Sequence, residues 1–313
     1  MSASSQPPII PIKSSSEPPA VLPPPADLFA RRAARFEQLA AGHSLADWLH
    51  FLAALSRAQD AALARLPALP LPDTEALRRA REHRMPAVPA QSWPRDPAWQ
   101  AIARELATAV SATAPATLQP ALARLAALPA DALEALAERV LHTELYGEDA
   151  ALLPLVGAAL QVLWTGLARR IGTGIAGLDV PGVCPCCGFL PVASVVKTAG
   201  QADHAVDNLR YLHCALCGTE WNLVRVKCAA CDATEGISYR QLEAADGSSS
   251  AQQLGAVRAE TCESCKSYLK IVYTDKGGVD PVADDLATLA LDILVDEAGY
   301  ARAGPNLLLV PGG

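Results

Sequence analysis

Positive charge is scarce in this chain of 313 residues, which carries 26 Lys and Arg against 33 Asp and Glu. The net charge is −7 and the isoelectric point is about 5.4. General binding to nucleic-acid backbones depends on an excess of basic residues, because phosphates are recognised by charge. The composition therefore argues against a nucleic-acid partner.

The sequence also lacks the signals of secretion and of membrane insertion. No N-terminal stretch joins basic residues to an apolar core, so we expect no secretory leader and a cytoplasmic location. The longest apolar run, 150–164, contains Pro154 and Gln161. It is shorter than the roughly 20 residues that a membrane-spanning helix needs, so we expect no membrane insertion.

Catalytic motifs are missing as well. The chain has no Walker loop, no nucleophile elbow and no H-E-x-x-H pair. Gly172 and Gly174 form a Gly-x-Gly, but no predicted strand precedes it and no phosphate-binding helix clearly follows. We therefore predict no catalytic residue, no organic cofactor site and no enzymatic activity.

What the sequence does have is cysteine, in four C-x-x-C pairs between residues 184 and 265. We call these pairs the first to fourth knuckles. The spacing lets one tight turn direct two sulfurs at one metal ion, and eight thiolates suffice for two tetrahedral Cys₄ sites. The predicted metal ligands are Cys184, Cys187, Cys214, Cys217, Cys228, Cys231, Cys262 and Cys265.

The pairing of the knuckles has three possibilities. Sequential pairing joins the first knuckle to the second and the third to the fourth; a cross-brace joins the first to the third; a third arrangement joins the second to the third. We favour sequential pairing, because each module then closes over a short loop. Cys186, the ninth cysteine, is predicted to be a spare, since Cys184 and Cys187 keep the spacing and Gly188 follows as Gly218 follows Cys217.

Composition divides the chain into successive segments and predicts an α+β protein. The N-terminal part is an all-helical domain, two small Cys₄ modules follow it, and a C-terminal helix comes last. The predicted boundaries are a disordered Pro/Ser-rich tail at 1–25, a helical domain at 26–171, a linker at 172–183, a first Cys₄ module at 184–227, a second at 228–279, and a C-terminal helix and tail at 280–313 that packs back on the helical domain.

Local signals place several helix ends. Ser44 is a predicted N-cap with Asp47 in the capping-box position, and Asp73 is predicted to cap a short charged helix. Asp280 with Pro281 predicts the start of the last helix. The predicted buried stripe of that helix is Val282, Leu286, Leu289, Ile293 and Leu294.

Predicted strands fill the cysteine-rich half of the chain. They are 190–197, 209–213, 220–227, 237–242 and 268–273, with a polar loop at 244–250.

The motifs around the knuckles resemble the formate dehydrogenase accessory protein family known as FdhE. The residues that carry the resemblance in the C-terminal half are L-R-Y-L-H-C-A-L-C-G-T-E-W at 209–221, V-R-V-K-C at 224–228, C-P-C-C-G at 184–188, E-T-C at 260–262 with Cys265 and Y-L-K at 268–270, and D-D-L at 284–286. Those in the N-terminal half are R-F at 35–36, G-H-S-L at 42–45 and 93–99.

This resemblance implies that the two Cys₄ modules are rubredoxin-like or zinc-ribbon-like. It also implies a cytoplasmic accessory protein that is needed for active formate dehydrogenase. It implies that the partner is the catalytic subunit, a molybdenum or tungsten enzyme, before its export. It also implies iron in the two Cys₄ sites, although tetrahedral thiolates hold zinc equally well. Two other classes stay open from the residues alone: a rubredoxin-like redox carrier and, against the charge balance, a nucleic-acid-binding zinc ribbon.

Overall fold

The structure is a computed structural model that describes residues 20–197, 208–242, 256–274 and 279–310. It consists of a helical half followed by a mixed β-sheet and two short C-terminal helices. The predicted α+β class is confirmed. The predicted loop at 244–250 and most of the predicted N-terminal tail lie outside the described residues.

The helical half surrounds one central helix. Its helices are α1 Leu28–Ala40, α2 Ala46–Ala64, α3 Thr74–Glu82, α4 Ala98–Val110, α5 Gln119–Ala127, α6 Ala130–Leu141 and α7 Leu153–Ile171. Between Leu155 and Ala168 every residue of α7 is buried, because α2, α4 and α6 pack around it. The segment Ala150–Gly174 is apolar and long enough to cross a bilayer, but 83% of its most apolar window is buried, as in the core helix of a globular domain.

Two of the predicted helix starts have different outcomes. The side chain of Asp73 accepts a hydrogen bond of 2.7 Å from the amide of Ala76, so the predicted cap of α3 is confirmed. The predicted capping box at Ser44 is wrong, because α2 begins at Ala46 and Leu45 occupies the cap position without a side-chain hydrogen bond. A turn at 43–46, closed by the bond from the Ala46 amide to the His43 carbonyl, delays the helix.

The strands form one sheet in the order β1-β4-β3-β2-β7-β6-β5, with β8 also pairing with β7. The strands are β1 Val21–Leu22, β2 Pro191–Lys197, β3 Leu209–Cys214, β4 Glu220–Asn222, β5 Ile237–Arg240, β6 Val257–Cys262, β7 Ser267–Tyr273 and β8 Ala301–Arg302. Within each half the neighbouring strands are antiparallel, except that β8 pairs parallel with β7. Strands β2 and β7, which join the halves, are also parallel, with Ala193 opposite Lys270 and Val196 opposite Tyr273. The β2–β7 pairing therefore joins the two cysteine-rich segments into one sheet.

The strand predictions miss two features. The strand predicted at 220–227 ends at Asn222, and Val226 in the following loop has φ of 60°, outside the extended region. Strand β6 was not predicted, because only part of it alternates between apolar and polar residues, in the segment V-R-A-E-T-C.

The C-terminal region contains two helices instead of the single predicted one. Helix α8 is Pro281–Leu286 and helix α9 is Leu289–Glu297. Asp280 caps α8 as predicted, because its side chain accepts hydrogen bonds from the amides of Val282 and Ala283. Leu289 of the predicted stripe is partly buried against the core, but the prediction is wrong for the last two residues. The break at 287–288 turns Leu291 and Val295 inward and leaves Ile293 61% and Leu294 54% exposed.

Helix α8 lies between α1 and β2 and is held there by buried charges. Arg32 on α1 contacts the carboxylate of Asp280 at 3.1 Å, and Arg35 contacts that of Asp284 at 2.5 Å. Both carboxylates are buried, so each guanidinium supplies the partner that a buried charge requires. These contacts join the two ends of the described chain.

A second buried network attaches the C-terminal helices to the sheet. The ammonium of Lys270 on β7 lies 3.2 Å from the Asp285 carboxylate and 2.5 Å from that of Asp292, and Arg302 contacts the same two acids. Although burial raises it, the charges of Arg302 and Lys270 hold the pKa of Asp285 below its ordinary value. The carboxylate therefore stays ionised at neutral pH, and α8 and α9 are fixed against β7.

Candidate metal centres

All four knuckles share one backbone conformation. The residue that follows the second cysteine of each has a positive φ: Gly188 at 72°, Gly218 at 70°, Asp232 at 68° and Lys266 at 53°. This left-handed residue completes the turn that brings the two sulfurs of a knuckle to the same side of the backbone. Glycine marks the first two turns in the sequence, whereas nothing in the sequence reveals the other two, since non-glycine residues rarely take this conformation.

The first and second knuckles bring four sulfurs together. The Sγ atoms of Cys184, Cys187, Cys214 and Cys217 all lie within 4.8 Å of one another. Individual separations are 3.5 Å between Cys184 and Cys217 and 3.4 Å between Cys187 and Cys214. All four side chains are at most 1% exposed. We call this group the first site.

Backbone amides point at the sulfurs of the first site. The amides of Leu216 and Cys217 each donate to the Cys214 sulfur at 3.4 Å, and the Thr219 hydroxyl lies 3.2 Å from the Cys217 sulfur. Such donors orient thiolate ligands and lower the energy of their negative charge. The group therefore has the surroundings of a thiolate metal site as well as its spacing.

The pKa values of the thiols in the first site are shifted in both directions. Burial raises the pKa of the Cys184 and Cys187 thiols well above the ordinary value. Burial also acts to raise that of Cys217, but hydrogen bonds from neighbouring thiols outweigh it and lower the pKa well below the ordinary value. A metal ion would displace the remaining protons, which couples its binding to folding and to pH.

The first site is built into the core of the helical half. The amides of Val88 and Ala90 donate to the carbonyls of Cys186 and Cys187, both at 2.8 Å. These donors belong to the proline-rich loop at 85–97, which thus pairs with the first knuckle along its backbone. The second knuckle is held by α7: Gln161 donates to the Ala215 carbonyl at 2.8 Å and Thr165 to that of Cys217 at 3.3 Å.

Sequence reasoning missed these supporting residues. Gln161 and Thr165 are polar residues in an apolar helix, and this is a usable signal, because a buried polar side chain requires a partner. The predicted linker at 172–183 also contacts the cysteine-rich region: the Trp221 indole donates to the Pro181 carbonyl at 2.7 Å.

The third and fourth knuckles form a second group of four sulfurs. The Sγ atoms of Cys228, Cys231, Cys262 and Cys265 lie within 4.8 Å of one another. The separations are 3.7 Å between Cys228 and Cys265 and 3.7 Å between Cys231 and Cys262. The two groups follow sequential pairing, the arrangement favoured by loop length, and we call this group the second site.

The second site differs from the first in its exposure. Cys228 and Cys262 are buried, but Cys231 and Cys265 are exposed. Burial raises the pKa of the Cys228 thiol to about 12. At Cys265 burial is outweighed by hydrogen bonds from Ser267, whose hydroxyl oxygen lies 2.9 Å from the sulfur, and the pKa falls to about 7. One edge of the second site is therefore open to solvent and to partners.

Cys186 lies outside both groups. Its side chain is fully buried in the first knuckle. A hydrogen bond to the Cys217 sulfur, together with burial, raises the pKa of its thiol well above the ordinary value. It is therefore a protonated neighbour of the first site in the absence of metal. Its predicted role as a spare thiol stays a prediction.

His213, which directly precedes Cys214, contacts an acid on the neighbouring strand. Its Nδ1 lies 3.2 Å from the Glu220 carboxylate. The same carboxylate forms an ion pair with the Lys197 ammonium at 2.5 Å. Burial would raise the pKa of Glu220, but these two partners lower it to about 2. The cluster fastens β4 to β3 beside the first site.

Both groups fit a metal ion by their donor chemistry. Four thiols within 4.8 Å, with amide donors toward their sulfurs, suit the tetrahedral thiolate coordination of zinc or iron. Each group supplies four sulfurs, which leaves no open coordination position for a substrate. The arrangement suits a structural ion or a one-electron centre.

Three models of one protein family match successive segments of this chain. Family models described as FdhE, N-terminal, as FdhE, central domain, and as FdhE, C-terminal domain match residues 17–176, 183–225 and 226–309. Protein FdhE homolog of Pseudomonas aeruginosa is 40% identical over 298 residues, which cover 95% of this chain and 94% of that protein. The chain belongs to the FdhE family.

Further relatives and a solved structure agree with this family. Protein FdhE homolog of Edwardsiella ictaluri is 40% identical over 299 residues, covering 94% of this chain and 92% of that protein. The crystal structure of the FdhE protein from Pseudomonas aeruginosa superimposes with a TM-score of 0.81 at 38% identity, over 94% of this chain and all of that one. The resemblance predicted from the knuckle motifs is confirmed.

Proposed function

We propose that this protein is a cytoplasmic, non-enzymatic accessory factor required for active formate dehydrogenase, and that it binds the catalytic subunit of that enzyme. The observation that carries the proposal is the pair of closed Cys₄ groups in a chain that matches the FdhE family over nearly its whole length. A chain whose modules are stabilised by metal ions, and whose sequence has no catalytic motif, is suited to binding a partner through its surface.

The proposed ligands are Cys184, Cys187, Cys214 and Cys217 for one ion, and Cys228, Cys231, Cys262 and Cys265 for the other. We favour iron, with zinc as the alternative, since both accept four thiolates in a tetrahedron. Metal analysis of protein purified without oxygen, with its visible absorption spectrum, decides between them. An expected result is two ions per chain; fewer than two would remove one of the sites.

The proposed client surface consists of Val180, Val224, Arg225 and Val226. The three valines are 61%, 70% and 52% exposed, and Arg225 is exposed as well. Large apolar side chains at the surface are typical of interaction sites when they occur together with polar neighbours. The nearby residues Thr219 and Glu220 do not belong to this surface, because Thr219 is fully buried and Glu220 is engaged by Lys197 and His213.

The backbone supports the same location. Val226 has φ of 60°, a conformation that is strained for a β-branched residue and that commonly occurs at functional positions. Gly182, two residues after Val180, lies so close to the knuckle that an added Cβ would be 2.3 Å from the Ala229 carbonyl. The loop that carries Val180 is thus held against the third knuckle.

A pull-down of the catalytic subunit tests the proposal. We expect recovery with the intact protein and much weaker recovery with Val224→Asp/Val226→Asp, while Tyr146→Asp, at a 70% exposed position on the helical half, serves as the matched control. Equal recovery of the catalytic subunit with both variants would show that the valine surface is not the binding surface. No recovery with any protein, including the intact one, would remove the accessory function.

The exposed edge of the second site favours one other candidate, a rubredoxin-like electron carrier. Cys231 and Cys265 are exposed, so an iron ion there would be close to a partner. A reversible iron couple, together with electron delivery to a formate dehydrogenase, would support this function. Protein that contains only zinc would exclude it.

A further inference from the structure

An apolar groove lies on the helical half, away from both cysteine groups. Its volume is about 390 Å³, within the range of roughly 300–1,000 Å³ that is typical of ligand pockets. All of its lining residues are apolar. The walls include Leu45 and Trp48 at the start of α2, Leu122 on α5, and Leu289 at the start of α9.

The apolar surface continues beyond the groove along α9. Ile293 is four residues after Leu289, so the two side chains occupy the same face of the helix. This face is opposite the buried residues Leu291 and Val295, and Ile293 is 61% exposed on it. The stripe therefore extends the apolar wall by one helical turn.

Acidic residues follow at the end of the same stripe. Asp296 and Glu297 are seven and eight residues after Leu289, which places both on the face that carries Ile293. On the other wall, Asp47 adjoins Trp48. All three acids are exposed, and none forms an ion pair within the parts of the chain that the structure describes. The groove is thus lined by apolar side chains, and exposed acids lie on two of the helices, α2 and α9, that form its walls. We call these three acids the rim.

The C-terminal segment is itself part of the groove wall, since Leu308, Leu309 and Val310 line it. Residues 1–19 are long enough to be considered as an occupant, because an extended chain spans up to about 3.3–3.6 Å per residue. They carry a single basic residue, Lys13, beside one acid, Glu17, and so complement three acids poorly.

We propose that this groove binds an apolar peptide segment of a partner protein, with basic residues at the end of the segment that reaches the rim. The apolar side chains would enter between α2, α5 and the C-terminal tail, and the basic residues would pair with Asp47, Asp296 and Glu297. This binding site is separate from the valine surface and does not depend on the client of the proposed function.

Two labelled synthetic peptides test the proposal on the full-length protein. Both have a core of leucine and alanine; one has two lysines at each end and the other has two glutamates. We expect the lysine peptide to bind at least about tenfold more tightly at low salt, since like charges repel, and the difference to shrink as salt is added. The double change Asp296→Lys/Glu297→Lys should reverse the preference.

Two neighbouring positions on α9 provide a matched pair of variants. Ile293→Ser should weaken the lysine peptide by roughly tenfold, because it removes apolar contact area from the stripe. Leu294→Ser changes a similarly exposed residue on a different face of α9, and binding should stay unchanged. Both positions are exposed, so folding is preserved, and circular dichroism verifies this.

Three results would overturn the proposal. Equal binding of the two peptides would show that charge plays no part. A dimer that Ile293→Ser dissociates would make a second copy of the chain the occupant. Peptide binding that appears only after residues 1–19 are removed would make the N-terminal segment the occupant.

Discussion

The side-chain amide of Gln161, in the middle of α7, donates a hydrogen bond of 2.8 Å to the carbonyl of Ala215, between the two cysteines of the second knuckle. Gln161 is itself held by Gln59, whose amide donates to it at 2.9 Å. A buried relay of two glutamines thus links the helical core to the first site. The helical half and the first site should consequently lose stability together.

Replacing Gln161 tests this relay directly. Gln161→Met keeps the shape of the side chain but leaves the Ala215 carbonyl buried without its donor, so we expect a loss of about 1–3 kcal/mol in the free energy of unfolding. Urea denaturation measures the loss. Gln38→Met, at an exposed position on α1, is the control and should change stability by less than about 0.5 kcal/mol.

Removing one ligand from each site should have different consequences. Cys217→Ser should release one metal ion and also destabilise α7, because the Cys217 carbonyl is bonded to Thr165. Cys231→Ser, at an exposed position, should release one ion and leave the helices unchanged. Metal analysis and hydrogen exchange across α7 measure both effects. Equal protection of α7 in the two variants would contradict the coupling.

A chelator should remove the two metal ions at different rates. Two ligands of the second site are exposed, whereas all ligands of the first are buried, so release should occur in a fast and a slow phase of one ion each. A colorimetric chelator follows the release. In Cys231→Ser only the slow phase should remain, and a single phase in the unaltered protein would contradict the difference in access.

Gly218 should be intolerant of any side chain. Gly218→Ala adds a Cβ at φ of 70° and places it 2.6 Å from Cδ2 of Leu28 on α1. The left-handed conformation costs about 1–2 kcal/mol for alanine. Displacing a packed leucine adds about 1–3 kcal/mol. Gly42→Ala has the same φ with nothing within 4 Å, so thermal or urea unfolding of this variant should show only the first cost.

The stability of the helical half should fall at acid pH because of Glu134. Burial raises the pKa of this carboxylate, but hydrogen bonds from Gln100, Arg95 and Trp99 outweigh it and lower the pKa below the ordinary value of 4.5. A lowered pKa contributes stability above pH 4.5 that is lost as the pH falls through the folded-state value.

A neutral variant separates this contribution from other acid effects. Glu134→Gln should therefore be less stable than the unaltered protein at pH 7, and the difference in the free energy of unfolding should narrow as the pH falls below 4.5. Urea unfolding at several pH values measures it. Glu144→Gln, which removes an exposed acid without an ion pair among the described residues, should show no such narrowing.

The features that could be predicted from the sequence are those with short-range causes. The C-x-x-C turns, the cap at Asp73 and the Asp280-Pro281 helix start each depend on residues within one turn of the chain. The grouping of the knuckles was favoured by loop length alone. The family resemblance depended on the same local motifs.

What could not be predicted depends on distant contacts. The parallel pairing of β2 with β7 joins residues some 77 positions apart, such as Ala193 and Lys270, and no local pattern encodes it. The difference in exposure between the two sites has the same origin, since the helices cover one site and leave the other open. Asp232 and Lys266 adopt left-handed turns that glycine would have signalled.

The ion pair between Arg32 and Asp280 has a consequence for the order of events during protein synthesis. Its two residues are 248 positions apart, so α1 leaves the ribosome long before its partner on α8 is made. At about 5–20 residues per second, the ribosome needs roughly 12–50 s to reach Asp280 after Arg32. Throughout that interval Arg32 lacks its final counter-charge, and the α1–α8 contact forms only after Asp280 has been translated.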